Sequence, residues 1–396
     1  MAVTVPVLHA ITRLIVGGAQ ENTMYTAALL DKSRFQVEVV SGPQTGREGS
    51  LLEEVRQRGV ALTILPDLVR QIHPLHDLRA LIKLTRLMNS RGYQIVHTHS
   101  SKAGILGRLA ARLANVPVIV HTVHGWSFHP HMSPWTRRIY ILLERIAASY
   151  TDALVVVAQS DIDKGLQAGI GRAGQYHLIR SAIPLEEFNR EHVDRQAVRR
   201  ELGLPADAIV LGNVGRFSPQ KNPLDWVRVA ARVGEALPGC HFLLVGDGPL
   251  RSEVEALIAE KGLSDRTILT GLRRDVAELI AAMDVFLLTS LWEGLPRVIP
   301  QALAMGVPVI ANRADGTIEA VGEGESGFLC PPGDLDCLAS RCLELLQDAE
   351  RRKTMGTCGW EFALKEFDLQ RMVSQIADLY GDLLSQTRGI RPNSEV

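Results

Sequence analysis

Short apolar runs alternate along the chain with amphipathic stretches. Val5–Thr12, Gln36–Val40, Leu62–Leu65, Ile95–Thr98, Val118–His121 and Ala153–Val157 read as strands. Their nearly continuous apolar content marks strands covered on both faces of a parallel sheet. Helical spacing lies between them, near Leu51–Arg58, Leu75–Asn89, Ala103–Ala114, Trp135–Ser149 and Asp161–Ala168. Gly17-Gly18 turns the first strand into a helix that runs to about Leu30. Tyr176–Ile179 and Ser181-Ala182-Ile183-Pro184 read as the exit from this first domain. After a charged helix, Asp194–Leu202, a second series of strands follows: Ile209–Val214, His241–Val245, Thr267–Leu269, Val285–Leu288 and Val307–Ala311. Asp334–Asp348 and the segments beyond it are helical. The pattern predicts an α/β chain of two Rossmann-like, doubly wound domains, residues 1–183 and 184–368, facing each other across a ligand cleft at the carboxyl ends of both sheets. Residues 386–396 read as a disordered tail.

Composition supports two domains, because 396 residues exceed one ordinary core. No apolar run approaches the ~18 residues of a spanning helix, and no basic-then-apolar leader follows Met1. The five cysteines, Cys240, Cys330, Cys337, Cys342 and Cys358, are odd in number and form no CxxC pair. They read as reduced thiols of a cytoplasmic protein rather than a disulfide scaffold. Net charge is −1, but residues 1–180 carry 20 Lys and Arg against 12 Asp and Glu, and the remainder 23 against 32. The basic half is either a plain solvated surface or an attraction for an acidic acceptor or an anionic membrane face.

The most informative stretch is Ser290–Asn312. Glu293 follows the apolar run Val285–Leu288, and Gly294 and Pro296 mark a strand-to-helix turn, with Pro296 suited to the first helical position. A helix over Arg297–Met305 would turn the N–H groups of Arg297 and Val298 toward an anion such as a phosphate. Glu293 is placed to accept hydrogen bonds from sugar hydroxyls, and Gln301, about two turns into the helix, to reach a ribose. Upstream, Gly215-Arg216-Phe217-Ser218-Pro219-Gln220-Lys221-Asn222 links a strand to a helix. Arg216 and Lys221 are natural partners for a departing diphosphate, since no metal motif is present. Gly17 and Gly18, in the first strand-to-helix loop, allow close backbone approach to a diphosphate or simply form a tight turn.

Ten of the 12 histidines lie within residues 1–180. His97 and His99 share one face of a strand, and His121 and His124 flank a strand end. With no cysteine nearby and few carboxylates, they read as satisfied polar residues around a cleft, and no metal site is expected. The exception is His124, which the Gly125 turn leaves beside the site. Asp161-Ile162-Asp163 and Asp334-Leu335-Asp336 have metal-binding spacing, but both open helices and read as caps. Trp135-Thr136-Arg137-Arg138-Ile139-Tyr140 opens a helix suited either to a membrane surface or to core packing with an exposed arginine pair.

These blocks resemble the retaining, GT-B-fold glycosyltransferases of family 4, and the resemblance covers nearly the whole chain. Ser290–Asn312 resembles the family's Glu-x7-Glu region, with Glu293 at the first position and Gln301 where the family has Glu. The Arg216–Lys221 loop matches the family's phosphate-binding loop, and Val96–Phe128 is similar to the polysaccharide-assembling members. The resemblance implies that Gly17 and Gly18 lie near donor phosphates. It also implies that His124 lies against the donor sugar and that Gly271-Leu272-Arg273 lines the base, with backbone contacts from Leu272 or Arg273. Gly246-Asp247-Gly248-Pro249 is then a structural turn, and a last helix near Leu369–Ser385 packs back on the first domain. The implied activity is metal-independent transfer, with retention, from a nucleoside-diphosphate sugar, UDP first among the nucleotides. The acceptor would be a glycan, one carried on a polyprenyl diphosphate, in cell-surface polysaccharide assembly. No cofactor, metal or nucleic acid is expected, and the protein would act in the cytoplasm with peripheral contact at the inner membrane face. The alternatives are a catalytically silent nucleotide-sugar binder and a nucleotide-sugar epimerase.

Overall fold

The computed structural model describes residues 4–44 and 49–390. The chain divides into two compact units, one running to Ser181 and resuming at Leu369, the other spanning Ala182–Asp368. Among the described residues the first holds seven strands: β1 (Val5–Ile11), β2 (Phe35–Ser41), β3 (Ala61–Ile64), β4 (Ile95–His99), β5 (Val118–Val123), β6 (Ala153–Val156) and β7 (Tyr176–Leu178). They form one sheet in the order β3-β2-β1-β4-β5-β6-β7, and every pairing is parallel. Strand order reverses between β1 and β4. Each β1, β4, β5 and β6 residue is at least half covered because helices lie on both faces.

The second unit holds β8 (Ile209–Val214), β9 (Cys240–Val245), β10 (Thr267–Gly271), β11 (Val285–Leu288), β12 (Val309–Asn312) and β13 (Gly327–Cys330). Their order is β10-β9-β8-β11-β12-β13, again all parallel, with the reversal between β8 and β11. Trp226, fully buried on the helix Pro223–Ala236, packs with Phe242, Leu244, Val285 and Leu287 at the centre of this core.

Several elements differ from the sequence reading. β13 is an unpredicted sixth strand: four residues led by a glycine carry too little pattern to be seen before β12 is there to pair with. Tyr176–Leu178, read as an exit segment, is the edge strand β7. The last helix spans Leu369–Ile390 rather than stopping at Ser385, since nothing between Gln386 and Arg388 breaks a helix; the proposed disordered tail beyond residue 390 lies outside the described residues. Cys330 and Cys337 are joined as a disulfide, correcting the reading of all five as thiols. The end of β13 and the first turn of the helix Leu335–Gln347 bring their Cα atoms to 5.9 Å, within bridging range. Among the described residues no helix is long and apolar enough to cross a membrane.

Candidate functional site

In an open parallel sheet, loops diverge where strand order reverses, and the carboxyl ends there form a natural binding crevice. In the second unit those loops follow β8 and β11, and they are stitched together. Gln220 donates from its side chain to the Trp292 carbonyl at 2.9 Å and accepts from the Leu291 N–H at 2.8 Å. Thr289 Oγ1 donates to the Asn222 carbonyl at 2.9 Å. Asn312, at the end of β12, donates to the carbonyls of Thr289 at 2.9 Å and Ser290 at 3.2 Å. Across this seam the Lys221 ammonium is ion-paired with the Glu293 carboxylate. The Glu293 N–H in turn donates to Asp315 Oδ2 at 3.1 Å. Asp315 was missed by sequence reasoning; the Asp-Gly turn just past β12, at the same sheet edge, was the available signal. Phe217 is buried, and its backbone N–H donates to the Asp247 carbonyl at 2.9 Å. That contact anchors the loop whose neighbouring residue, Arg216, is exposed.

Other predicted residues have different surroundings. The helix after Glu293 begins at Val298, with Arg297 as its N-cap. Pro296 therefore precedes the helix instead of opening it, and its carbonyl accepts from the Ile299 N–H at 3.0 Å. The Arg297 guanidinium donates to the Ala182 carbonyl at 2.9 Å, and Gln301 is buried on this short helix. Leu272 is half exposed just past β10. Arg273 is tied by its side chain to Asp275 and, at 3.0 Å, to Glu201, and the Asp275 carboxylate raises its pKa. Gly246 has φ 136, and a Cβ there would meet the Gly215 carbonyl oxygen at 2.0 Å, which accounts for the Gly-Asp-Gly-Pro turn as packing. Asp334 caps its helix by accepting from the Cys337 N–H at 2.9 Å. Asp161 does not cap: its helix already begins at Gln159, and Asp161 sits in the first turn.

In the first unit the reversal lies between β1 and β4, where Thr12 Oγ1 and Ser100 Oγ share a hydrogen bond of 2.8 Å. Gly17 is extended at φ 170 and Gly18 opens the helix Gly18–Leu29. Neither glycine lies in the left-handed region, and the extended Gly17 leads straight into the helix without a tight turn. Gly125 does take φ 111, turning the chain directly after His124. His124 Nε2 lies 3.1 Å from His99 Nδ1. His99 stacks beside His97, and His9 of β1 stands opposite His97 in the strand register. Ring nitrogens of His9, His97 and His99 come within 4.8 Å of one another, a convergence that the sequence did not reveal. Burial holds His97, His99 and His121 well below the usual imidazole range and lowers His9 to about 3, so all four are neutral at pH 7. His121 points to the opposite face of the sheet, where Nδ1 meets Thr98 Oγ1 at 2.8 Å.

Two doubly wound parallel sheets, each with polar groups gathered where its strand order reverses, form the architecture of GT-B glycosyltransferases. Anabaena HepE, solved in complex with UDP and glucose, shares this fold with a TM-score of 0.82 over 96% of this chain and 100% of its own, at 23% identity. Residues 17–181 match the family described as Glycosyl transferase 4-like domain, and residues 194–360 match Glycosyl transferases group 1. The UDP-Gal:alpha-D-GlcNAc-diphosphoundecaprenol alpha-1,3-galactosyltransferase of Escherichia coli is 31% identical over 96% of this chain and 97% of its own length. The N-acetyl-alpha-D-glucosaminyl L-malate synthase of Bacillus anthracis is 27% identical over 79% and 81%. The chain belongs to the family 4 glycosyltransferases of GT-B fold.

Proposed function

We propose that this glycosyltransferase moves a sugar, with retention and without a metal, from a UDP-sugar to a glycan carried on a polyprenyl diphosphate, in polysaccharide assembly. The observation that carries the reading is the Lys221–Glu293 pair, held by stitched loops at the carboxyl ends of two neighbouring strands. A cation and a carboxylate fixed side by side suit a ligand that joins a diphosphate to a polyol. Lys221 and Arg216 would neutralise the departing UDP, where most negative charge develops in the transition state. Glu293, shared between Lys221 and the sugar, would orient the hydroxyls. The N–H groups of Arg297 and Val298 would add to the phosphate contacts, with Gly17 and Gly18 close by. Gln301 would hold the ribose, the backbone at Leu272 and Arg273 the base, and His124 the sugar. No carboxylate is cast as nucleophile, so the acceptor hydroxyl would attack from the face that the diphosphate leaves.

The acceptor reading is supported by the E. coli relative, whose name specifies a diphosphoundecaprenol-linked acceptor, and by the helix Pro134–Ala148. Trp135 is 70% exposed there, with Leu142 at 56% and Ile146 at 52%, and Arg137 and Arg138 beside them are exposed as well. Apolar and basic side chains on one open helix suit the interface of an anionic membrane, such as the inner face of the cytoplasmic membrane. The test is thermal unfolding with UDP, GDP and ADP, and turnover of Arg216→Ala. A nucleotide at 100 times its Kd adds about 2.7 kcal/mol to folded-state stability. A raised midpoint with UDP alone, together with collapsed turnover in Arg216→Ala, is expected. Full turnover in that variant would overturn the phosphate role.

A further inference from the structure

Six side chains of the first unit form one unbroken hydrogen-bonded chain. It runs from His124 Nε2 to His99 Nδ1 at 3.1 Å and from His99 Nε2 to His9 Nδ1 at 2.9 Å. It continues from His9 Nε2 to the Tyr380 hydroxyl at 3.2 Å and from that hydroxyl to His97 Nδ1 at 2.6 Å. The last link joins His97 Nε2 to Thr122 Oγ1 at 2.6 Å. His9, His97, His99 and Tyr380 are fully enclosed, and both ring nitrogens of each inner histidine are engaged.

Each link needs one proton and one lone pair. A neutral imidazole offers one N–H and one acceptor nitrogen, and a phenol donates once. With the buried Tyr380 proton kept within the chain, the links can be ordered in only two ways without setting proton against proton or lone pair against lone pair. In the first, all four histidines carry the proton on Nε2, Tyr380 donates to His97, and His97 donates to Thr122. In the second, all four carry it on Nδ1, Thr122 donates to His97, and Tyr380 donates to His9. The two orders differ only in proton positions and have the same charge. In the first His124 Nδ1 is an acceptor, in the second a donor. The depressed basicity of the inner rings is consistent with this neutrality.

We propose that Tyr380, His9, His97, His99 and Thr122 are positioning residues that impose one common tautomer on His124, so that it meets the sugar with a defined hydrogen-bonding sense. The functional half of this rests on the reading that His124 lies at the donor sugar. A cation shared by His9, His97 and His99 is the competing use of the cluster. It would take a lone pair from each ring and break the His9–His99 link.

The test is long-range proton–nitrogen correlation spectroscopy on the full chain labelled with 15N-histidine, at pH 7.5 and without ligand. The expected result is one tautomer common to His9, His97, His99 and His124. Mixed tautomers among the four would overturn the proposal, as would metal analysis finding zinc bound at the three inner rings. Tyr380→Phe keeps the aromatic ring and removes the central link. It should bring both tautomers of His124 into the spectrum and lower kcat about tenfold, with the donor KM and circular dichroism little changed. A His124 that keeps a single tautomer in this variant would overturn the coupling. If Tyr380→Phe does not fold, the wild-type spectrum decides alone. A common tautomer, lost in Tyr380→Phe with no change in kcat, would uphold the chain and overturn the placement of His124 at the sugar.

Discussion

Replacing Lys221 with methionine separates what the Lys221–Glu293 pair does for folding from what it does for transfer. The Glu293 side chain is 7% exposed and that of Lys221 22%, so the substitution strands a carboxylate in a largely dry setting. Breaking a buried pair by removing one partner costs about 3–5 kcal/mol, and partial exposure of Lys221 puts this case near 3. For a unit of this size that lowers the unfolding midpoint by roughly 6–12 °C. Adding Glu293→Gln removes the stranded charge and should restore most of that loss, leaving a deficit of about 1 kcal/mol. Turnover should respond differently. Losing a preorganised group that stabilises transition-state charge costs about 10²–10³ in kcat, and Glu293→Gln cannot return it. The assay pairs thermal unfolding with steady-state transfer for wild type, both single variants and the double. A double variant as unstable as Lys221→Met would refute the ion-pair energetics. A double variant that regains transfer would show that Lys221 serves only to balance Glu293.

Three further outcomes are expected. Asn312→Ala removes both side-chain donors to the Thr289 and Ser290 carbonyls and should cost about 1–3 kcal/mol, with a raised donor KM as the Glu293 loop loosens; an unchanged KM and midpoint would show that the stitching is redundant. Stability should fall as pH drops below 6.5. A histidine depressed in the folded state contributes fully above its unfolded value and progressively less toward its folded one, so His9, lowered from 6.5 to about 3, should forfeit about 2 kcal/mol by pH 5. His97, His99 and His121 add with the same sign, and a flat melting profile between pH 7 and 5 would contradict this burial. Trp135→Ser combined with Ile139→Ser should abolish sedimentation with vesicles rich in anionic lipid while leaving the midpoint unchanged, since both side chains are exposed; undiminished sedimentation would remove this helix from the membrane.

What was legible in the sequence follows from what each contact depends on. β1, β4, β5, β8 and β11 could be read because strands covered on both faces must be apolar nearly throughout. The placement of Glu293, Arg216 and Lys221 at the carboxyl edge of the sheet could be read because strand-to-helix loops occur there by construction. His9 could not: it is a lone polar residue in an apolar strand, and its meaning comes from lying opposite His97, which the sheet order alone decides. Tyr380 is hidden for the same reason, since only the return of the last helix brings it to His97. Asp315 depends on β12 lying next to β11, and the Cys330–Cys337 bridge on a strand too short to be seen. Local glycine chemistry misled once, at Gly17, where an extended backbone suffices.

The measurement that bears most directly on the central claim is transfer from a panel of UDP-hexoses to a polyprenyl-diphosphate-linked N-acetylglucosamine, with and without EDTA. The anomeric configuration of the product would be read by NMR. The account predicts a glycan product that keeps the donor's configuration, undiminished yield in EDTA, and loss of product in Arg216→Ala. An inverted product, a requirement for metal, or donor consumed without any glycan formed would contradict it.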